Sequence, residues 1–249
     1  MIHFSERSST VLSIASSELI QIFRNRLVLI TSLIIPAAVS AFFVRQHDTY
    51  AALGSLGYVA AIVLFTITAF GLYTTAVTTL ASRRQNLFLK RLRSTAESDA
   101  GILAGLLLPV LLLTVVQVTA ILTALAVVAG GPDNVVLLVV AALAAVAMLI
   151  ALALATAGLT NSPEHAQVTT LPVTLGVIAV ASWVGISGTE SLAWLKRLLP
   201  GGAATELTMN AWNGGVAVVD SLLLLAPTLG WVVIAVILAT RLFRWEPRR

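Results

Sequence analysis

The sequence has no cysteine and few charged residues, and each absence excludes a class of function. Without cysteine, the 249-residue chain forms no disulfide and carries out no thiol chemistry. Only 10% of its residues are charged, whereas 58% are hydrophobic and the mean hydropathy is +0.98. A soluble domain usually has about 25% charged residues, so this composition indicates a membrane protein.

Charge is also absent from the interior of six long apolar stretches. A hydrocarbon core about 30 Å thick is crossed by roughly 20 apolar residues of helix, and each stretch is near or above that length. The sequence therefore predicts an all-α membrane protein, with six transmembrane helices in a single transmembrane domain over residues 1–249. The predicted spans are Leu27–Val44, Leu56–Leu80, Ile102–Val128, Val135–Leu159, Val168–Ile186 and Ser221–Thr240.

The chain lacks the sequence features of a self-powered transporter. Acidic and basic residues inside spans are typical of proton and ion carriers, and these spans contain none. No Gly-x-x-x-x-Gly-Lys-Ser/Thr loop is present, because the two lysines, Lys90 and Lys196, each follow leucine. We therefore expect no enzymatic activity and no cofactor bound by this chain. A transporter of this kind needs a partner that supplies the energy.

The sequence also gives little support to hydrolysis or metal binding. The string Gly185-Ile186-Ser187-Gly188 matches that of rhomboid intramembrane proteases, whose serine pairs with a histidine on a later helix. No histidine follows Ser187 here. The three histidines, His3, His47 and His165, are scattered and show no metal-ligand spacing.

The basic residues are concentrated on one side of the predicted membrane. Twelve of the fifteen precede the first span, lie between the second and third, or follow the sixth, and Arg45, Lys196 and Arg197 lie on the other side. The positive-inside rule therefore places both termini in the cytoplasm of a cell-membrane protein. This distribution explains the pI near 10.1 without nucleic acid. The twelve are Arg7, Arg24, Arg26, Arg83, Arg84, Lys90, Arg91, Arg93, Arg241, Arg244, Arg248 and Arg249.

The segment before the first span is predicted to form an amphipathic helix. Leu12, Ala15, Leu19 and Ile22 fall at helical spacing, and polar residues occupy much of the opposite face. Such a helix either lies along the cytoplasmic surface of the membrane, in contact with lipid, or packs on the cytoplasmic loops of the protein itself.

The long loop Gly188–Asp220 is partly apolar and is predicted to contain two short extracellular helices before the last span. They either dip into the membrane or cap an exit path as an extracellular gate, or they form an interfacial loop held by tryptophans at headgroup level. The candidate gate residues are Trp194, Leu195, Leu198, Leu199 and Trp212.

The cytoplasmic segment Ala81–Asp99 combines a helical pattern with both basic and apolar residues. Phe88, Leu89 and Leu92 give an apolar stripe beside the basic side chains, which suits docking on another protein. The alternative is contact with anionic lipid, worth about 1 kcal/mol per basic residue. Glu164 and His165, in the next cytoplasmic turn, form either a second contact for a partner or only a turn.

The arrangement resembles the permease subunit of type-2 ABC transporters, particularly the daunorubicin-resistance-like drug exporters of actinobacteria. The resemblance rests on the amphipathic N-terminal helix, the Leu33-Ile34-Ile35-Pro36 string in the first span, the basic run Arg83–Thr95 and the ending Arg241–Arg248. The sequence departs from the family at Asn86 and at Thr95-Ala96, where the family often has a glycine and a Thr-Pro.

The resemblance implies an exporter permease that moves an apolar or amphipathic drug or lipid. ATP and Mg would be bound by a separate cytoplasmic ATP-binding subunit, and a second or related permease would complete the path. The outer re-entrant helices of the family would correspond to Ser191–Trp212. The competing hypothesis is a non-transporting assembly or scaffold protein. The residues expected to couple to the ATPase are Arg83, Arg84, Leu87, Phe88, Lys90, Arg91, Leu92 and Arg93.

The predicted topology can be tested with single cysteines, because the chain has none of its own. Ser94→Cys and Asn134→Cys should react with an impermeant thiol reagent from opposite sides of the membrane. Labelling of both positions to the same extent in intact cells would contradict the six-span topology.

Overall fold

The computed structural model describes residues 2–52, 56–94, 98–243 and 245, and of residues 2–12 and 27 it describes the main chain alone. The predicted helical fold is confirmed: within these residues, six apolar helices lie where the apolar stretches occur. Five of the helices in this described part of the chain are long and apolar enough to cross a membrane, whereas the first, Ile30–Arg45, is shorter. The five long helices are Leu56–Gln85, Asp99–Ala129, Val135–Leu159, Pro163–Ser187 and Val218–Leu242.

The helix Leu56–Gln85, called the central helix below, forms the core of the bundle. It is 89% buried over its most apolar window, whereas the last helix, Val218–Leu242, is 22% buried. The first part of the central helix, Leu56–Thr66, carries apolar residues on every face, and Val59, Ala60 and Ala61 are fully buried. A helix that is apolar on every face is suited to the interior of a bundle.

The central helix runs from one end of the bundle to the other. Its last turn holds Arg83 and Arg84, and the short helix Phe88–Arg93, called the basic helix, follows. This end is called the basic end. Leu87, between the two helices, has φ 57°, a left-handed conformation that is uncommon outside glycine. The helical pattern predicted for this segment is therefore divided between two helices, because the chain turns sharply at Leu87.

The N-terminal helix Ile2–Arg24, called the surface helix, packs on the protein by one face. Ile14, Ala15 and Ile22 are buried on that face, against a bundle that includes the third helix. Ile20 and Phe23 are 59% and 52% exposed. The helix therefore contacts its own bundle and still leaves an apolar strip uncovered.

Two π-helical segments face each other where the first and central helices meet. One is Ile30–Ile34, which is followed closely by Pro36, a residue with no N–H to continue the helical pattern. The other is Ile67–Thr74, where the hydroxyls of Thr74 and Thr75 donate to carbonyls five residues back. The wider turns thus have local causes in the sequence. Such π-segments often lie at functional sites.

The helices Ala193–Leu198 and Gly202–Asn213 form a hairpin that enters the bundle from the end opposite the basic end, called the hairpin end. A Cβ on Gly201, in its turn, would lie 3.2 Å from the ring of Phe65. Phe65 is about 13 Å along the central helix from Leu56, at 1.5 Å per residue. The hairpin returns to the surface at Asn213, whose side-chain oxygen accepts a 2.9 Å hydrogen bond from Gly57 N.

Close packing on the central helix depends on Gly185 of the fifth helix, Pro163–Ser187. An added Cβ at Gly185 would lie 2.0 Å from Tyr58 Cδ2. We expect Gly185→Ala to destabilise the protein by about 1–3 kcal/mol, because the buried Tyr58 ring must move. Gly176→Ala on the same helix is the matched control, since nothing lies within 4 Å of its added Cβ. Equal thermal stability of the two variants would contradict this packing.

Candidate functional site

The exposed part of the predicted coupling segment is smaller than the sequence indicated. Leu87, Lys90, Arg91 and Arg93 are exposed at the basic end. Arg93 Nε lies 3.3 Å from Asp99 Oδ1, and its guanidinium lies 5.3 Å from the ring centre of Trp245. The basic end therefore exposes one leucine and three basic side chains along the same short segment.

The apolar stripe of the basic helix faces the protein itself. Leu89 is fully buried, and Phe88 and Leu92 are partly buried against the main hydrophobic core. The interpretation of Phe88 and Leu92 as anchors free to enter a partner's groove does not fit this packing. Among the described large apolar residues of this segment, Leu87 is the most exposed, at 45%.

Arg83 joins three elements at the basic end. Its Nε lies 2.7 Å from Glu18 Oε1 and its Nη2 donates to Glu18 Oε2 at 2.8 Å, with a further contact to Gln21. Its guanidinium also lies 5.4 Å from the ring centre of Phe88. Arg83 of the central helix thus holds both the surface helix and the basic helix.

Arg84 is buried and lies in the last turn of the central helix, not on the basic helix. Its Nη2 donates to Ala157 O at 2.7 Å and to Thr160 O, at the end of the fourth helix Val135–Leu159. A cation at a helix C-terminus pairs with carbonyls that have no helical partner and with the negative end of the helix dipole. Arg84 therefore fastens the central helix to the fourth helix.

A cavity of about 1040 Å³ lies beside the basic end, between the surface helix and the first, central and fifth helices. Hydroxyls of the central helix form its wall, and Arg24 and Arg26 line it from the junction of the surface helix and the first helix. The sequence contained a signal for this wall, a run of hydroxyl residues in the otherwise apolar second span. Those residues are Thr74, Thr75, Thr78, Thr79 and Ser82.

Glu164 and His165 lie in the first turn of the fifth helix and are both exposed. The Ser162 hydroxyl caps this turn by accepting a 3.2 Å hydrogen bond from His165 N. Glu164 also lines the large cavity. The predicted second contact is thus brought to the same end of the protein as the basic helix.

The candidate gate residues divide between the surface and the interior of the hairpin. Trp194 and Leu198 are 65% and 58% exposed, Leu195 and Leu199 are intermediate, and Trp212 is buried. The hairpin also has its own polar clamp, in which Arg197 Nε donates to Glu206 Oε2 and Arg197 Nη2 donates to Glu206 Oε1, both at 2.7 Å.

This clamp is a two-point ion pair between the two helices of the hairpin. The hydrogen bonds that Arg197 donates to Glu206 raise the pKa of Arg197, and the Coulomb attraction adds to the effect. The Thr189 hydroxyl donates a third hydrogen bond to Glu206, at 3.0 Å. Paired charges of this kind set the geometry of the hairpin without leaving either charge unpartnered.

Lys196 is fully buried, although the sequence placed it in an outer loop. Its Nζ donates to Gly188 O at 2.6 Å and to Ser187 Oγ at 2.8 Å, and lies 5.2 Å from the ring centre of Trp183. Lys196 therefore caps the C-terminus of the fifth helix. Ser187 Oγ in turn donates to Trp183 O at 2.7 Å, so its hydrogen bonds are those of a helix end.

Within the described part of the chain, no group of three histidine or acidic side chains comes together to hold a metal ion.

We expect Lys196→Met to loosen the hairpin, because the carbonyl of Gly188 then has no donor. The cost should be about 1–3 kcal/mol of unfolding free energy, measured by thermal unfolding in detergent. Lys196→Arg should retain more of the stability, and the exposed Lys90→Met is the matched control at the other end. A Lys196→Met protein as stable as the wild type would contradict the capping role.

The comparison with protein families agrees with the apolar helices of the fold. Residues 5–242 match the family model described as ABC-2 family transporter protein. No significant match was found among curated proteins. Since the match covers nearly the whole chain, the protein belongs to the ABC-2 family of transporter proteins and is a multi-pass membrane permease component of an ABC transporter.

Proposed function

We propose that this chain is the permease subunit of an ATP-driven exporter in the cell membrane, with both termini cytoplasmic. ATP, with Mg, is bound and hydrolysed by a separate cytoplasmic subunit that docks on the basic end. The observation that carries this proposal is the exposed group of Leu87, Lys90, Arg91 and Arg93. An apolar centre with a charged rim is typical of a protein interface.

The basic helix is attached in a way that suits the transmission of movement. Leu89 is buried in the core, and Phe88 lies under the guanidinium of Arg83. A push on the basic helix therefore reaches the central helix through Arg83 and the surface helix through Glu18. Contact with lipid alone would not require the basic helix to be attached to the central and surface helices.

The large cavity supports an amphipathic cargo, such as a drug or a lipid. Its volume of about 1040 Å³ is at the upper end of the range usual for pockets that hold small molecules. The hydroxyl wall offers hydrogen bonds, and neighbouring Phe70, Val168 and Leu171 offer apolar contact. Two permeases, identical or related, would enclose the path. A scaffold or assembly protein without transport has no need of such a cavity.

We expect Arg91→Glu and Leu87→Ala each to lower cargo efflux per inserted molecule by roughly tenfold, the effect of about 1.4 kcal/mol of lost association. Phe88→Ala should in addition lower the amount of folded protein, because Phe88 packs on the core. The experiment measures efflux together with the amount of ATP-binding subunit that co-purifies in mild detergent.

Arg45→Glu is the matched control, since Arg45 is exposed near the hairpin end, far from the basic helix. It should leave both efflux and co-purification unchanged. Normal efflux per inserted molecule in Arg91→Glu and Leu87→Ala would reject docking at the basic end. Absence of any ATP-binding subunit from the purified wild-type protein would reject the exporter function itself.

A further inference from the structure

A second and much smaller cavity lies where the two π-helical segments meet the third helix. Its volume is about 10 Å³, the size of one probe sphere and close to the minimum for one water molecule. The wall is partly apolar, but four polar side chains from three helices converge on it. The polar residues are Ser32, Thr75, Thr114 and Gln117.

Three of the four polar groups each donate a hydrogen bond to a carbonyl. The Thr75 hydroxyl donates to Phe70 O at 3.4 Å, and the Thr114 hydroxyl donates to Val110 O at 2.8 Å. Gln117 Nε2 donates one of its two N–H groups to Leu33 O at 3.1 Å, and Gln117 Oε1 is an acceptor. The groups that line the cavity therefore offer mostly oxygen lone pairs.

The fourth group, Ser32, is a buried hydroxyl that needs a partner. Its exposure is 5%, and within the described residues Ser32 Oγ makes no hydrogen bond. Buried polar groups in folded proteins are almost always paired, either with protein or with ordered water. A molecule that accepts from Ser32 Oγ and donates to two of the neighbouring oxygens would pair the Ser32 hydroxyl.

We propose that the cavity binds a single buried water molecule, which accepts a proton from Ser32 and donates to the oxygens of Gln117 and a threonine hydroxyl. This water site goes beyond the proposed transport function, because it does not depend on the cargo or on the energy source. Its geometry depends on Gly71 of the central helix, where an added Cβ would lie 3.1 Å from Ser32 O.

The position of the water gives it a conformational role. It lies between the π-segments Ile30–Ile34 and Ile67–Thr74, and Gln117 connects the third helix to the first at the same level. A water molecule can exchange its hydrogen bonds as neighbouring helices shift, whereas a direct side-chain bond must break. The two π-segments can therefore slide or bend against each other without leaving a buried polar group unpaired.

The sign of a stability change distinguishes a hydrated cavity from a dry one. If the cavity is hydrated, Ser32→Ala removes a partner of the water and should lower the midpoint of thermal unfolding by about 2–4 °C. If it is dry, the same change removes an unpaired hydroxyl and should leave the midpoint unchanged or raise it. Thr114→Val, which loses an acceptor at nearly constant volume, should act in the same direction as Ser32→Ala.

Ser40→Ala is the matched control. Ser40 lies in the same helix, is fully buried, and likewise has an Oγ without a hydrogen bond among the described residues. It lines neither of the two cavities, so its substitution should leave the midpoint unchanged or raise it. A midpoint for Ser32→Ala and Thr114→Val that does not fall below the wild-type value would overturn the proposal.

A structure at a resolution that shows ordered water completes the test. One density peak within hydrogen-bond distance of Ser32 Oγ and Gln117 Oε1 is expected, and it should persist when sodium is replaced by choline in the buffer. A peak that is lost without sodium would show that the site binds a cation and would overturn the assignment to water.

Discussion

Two buried cations hold the ends of the bundle together, and the arrangement of the other parts depends on them. Arg84 donates to carbonyls at the end of the fourth helix, and Lys196 donates to the carbonyl of Gly188 at the end of the fifth. Within lipid, the carbonyls at a helix end must find donors inside the protein. Each cation supplies a donor at one end of the bundle and adds a favourable interaction with the helix dipole.

Each of these bonds fixes an element that the proposed function uses. Arg84 positions the last turn of the central helix, from which Arg83 reaches the surface helix and the basic helix. Lys196 positions the hairpin, whose turn reaches the depth of Phe65. The basic end and the hairpin end are thus both tied to main-chain atoms of the long helices.

Much of the fold could be predicted from the sequence, because the length and composition of the apolar stretches determine the number of long helices. The structure has a helix over Val135–Leu159, the same residues as the fourth apolar stretch, and the Asn134 side chain caps its start by accepting from Leu137 N. The family resemblance at the level of an ABC-2 permease was confirmed. The daunorubicin-resistance-like subfamily and the identity of the cargo stay predictions.

The site was harder to predict, because it depends on which face of each helix meets a neighbour. Phe88 and Leu92 have the spacing of an anchor for a partner, but the same spacing also suits a helix that packs on its own core. Arg84 and Lys196 were difficult to predict because they are charged. A basic residue near a helix end is expected to be exposed, yet both side chains are buried. Each donates to a main-chain carbonyl at the end of a neighbouring helix, which only the structure shows.

Gln117 and the hydroxyl wall were missed for a related reason. Uncharged polar residues barely alter the hydropathy of a span and carry no charge. Neither the hydropathy nor the charge pattern of the sequence therefore indicates them. In a bilayer they nonetheless act as contacts between helices, since lipid offers them no hydrogen bonds. Gln117 bridges to Leu33 O across two helices in this way.

The unequal burial of the helices has a consequence for membranes of different thickness. The last helix, Val218–Leu242, packs chiefly on the fourth helix, with Gly158 against the backbone of Leu242, and most of its surface faces outward. A change in bilayer thickness is accommodated by helix tilt at a modest cost per ångström. The last helix, at the periphery of the bundle, can tilt in response to a change in bilayer thickness. The central helix can then stay at the same depth in the membrane.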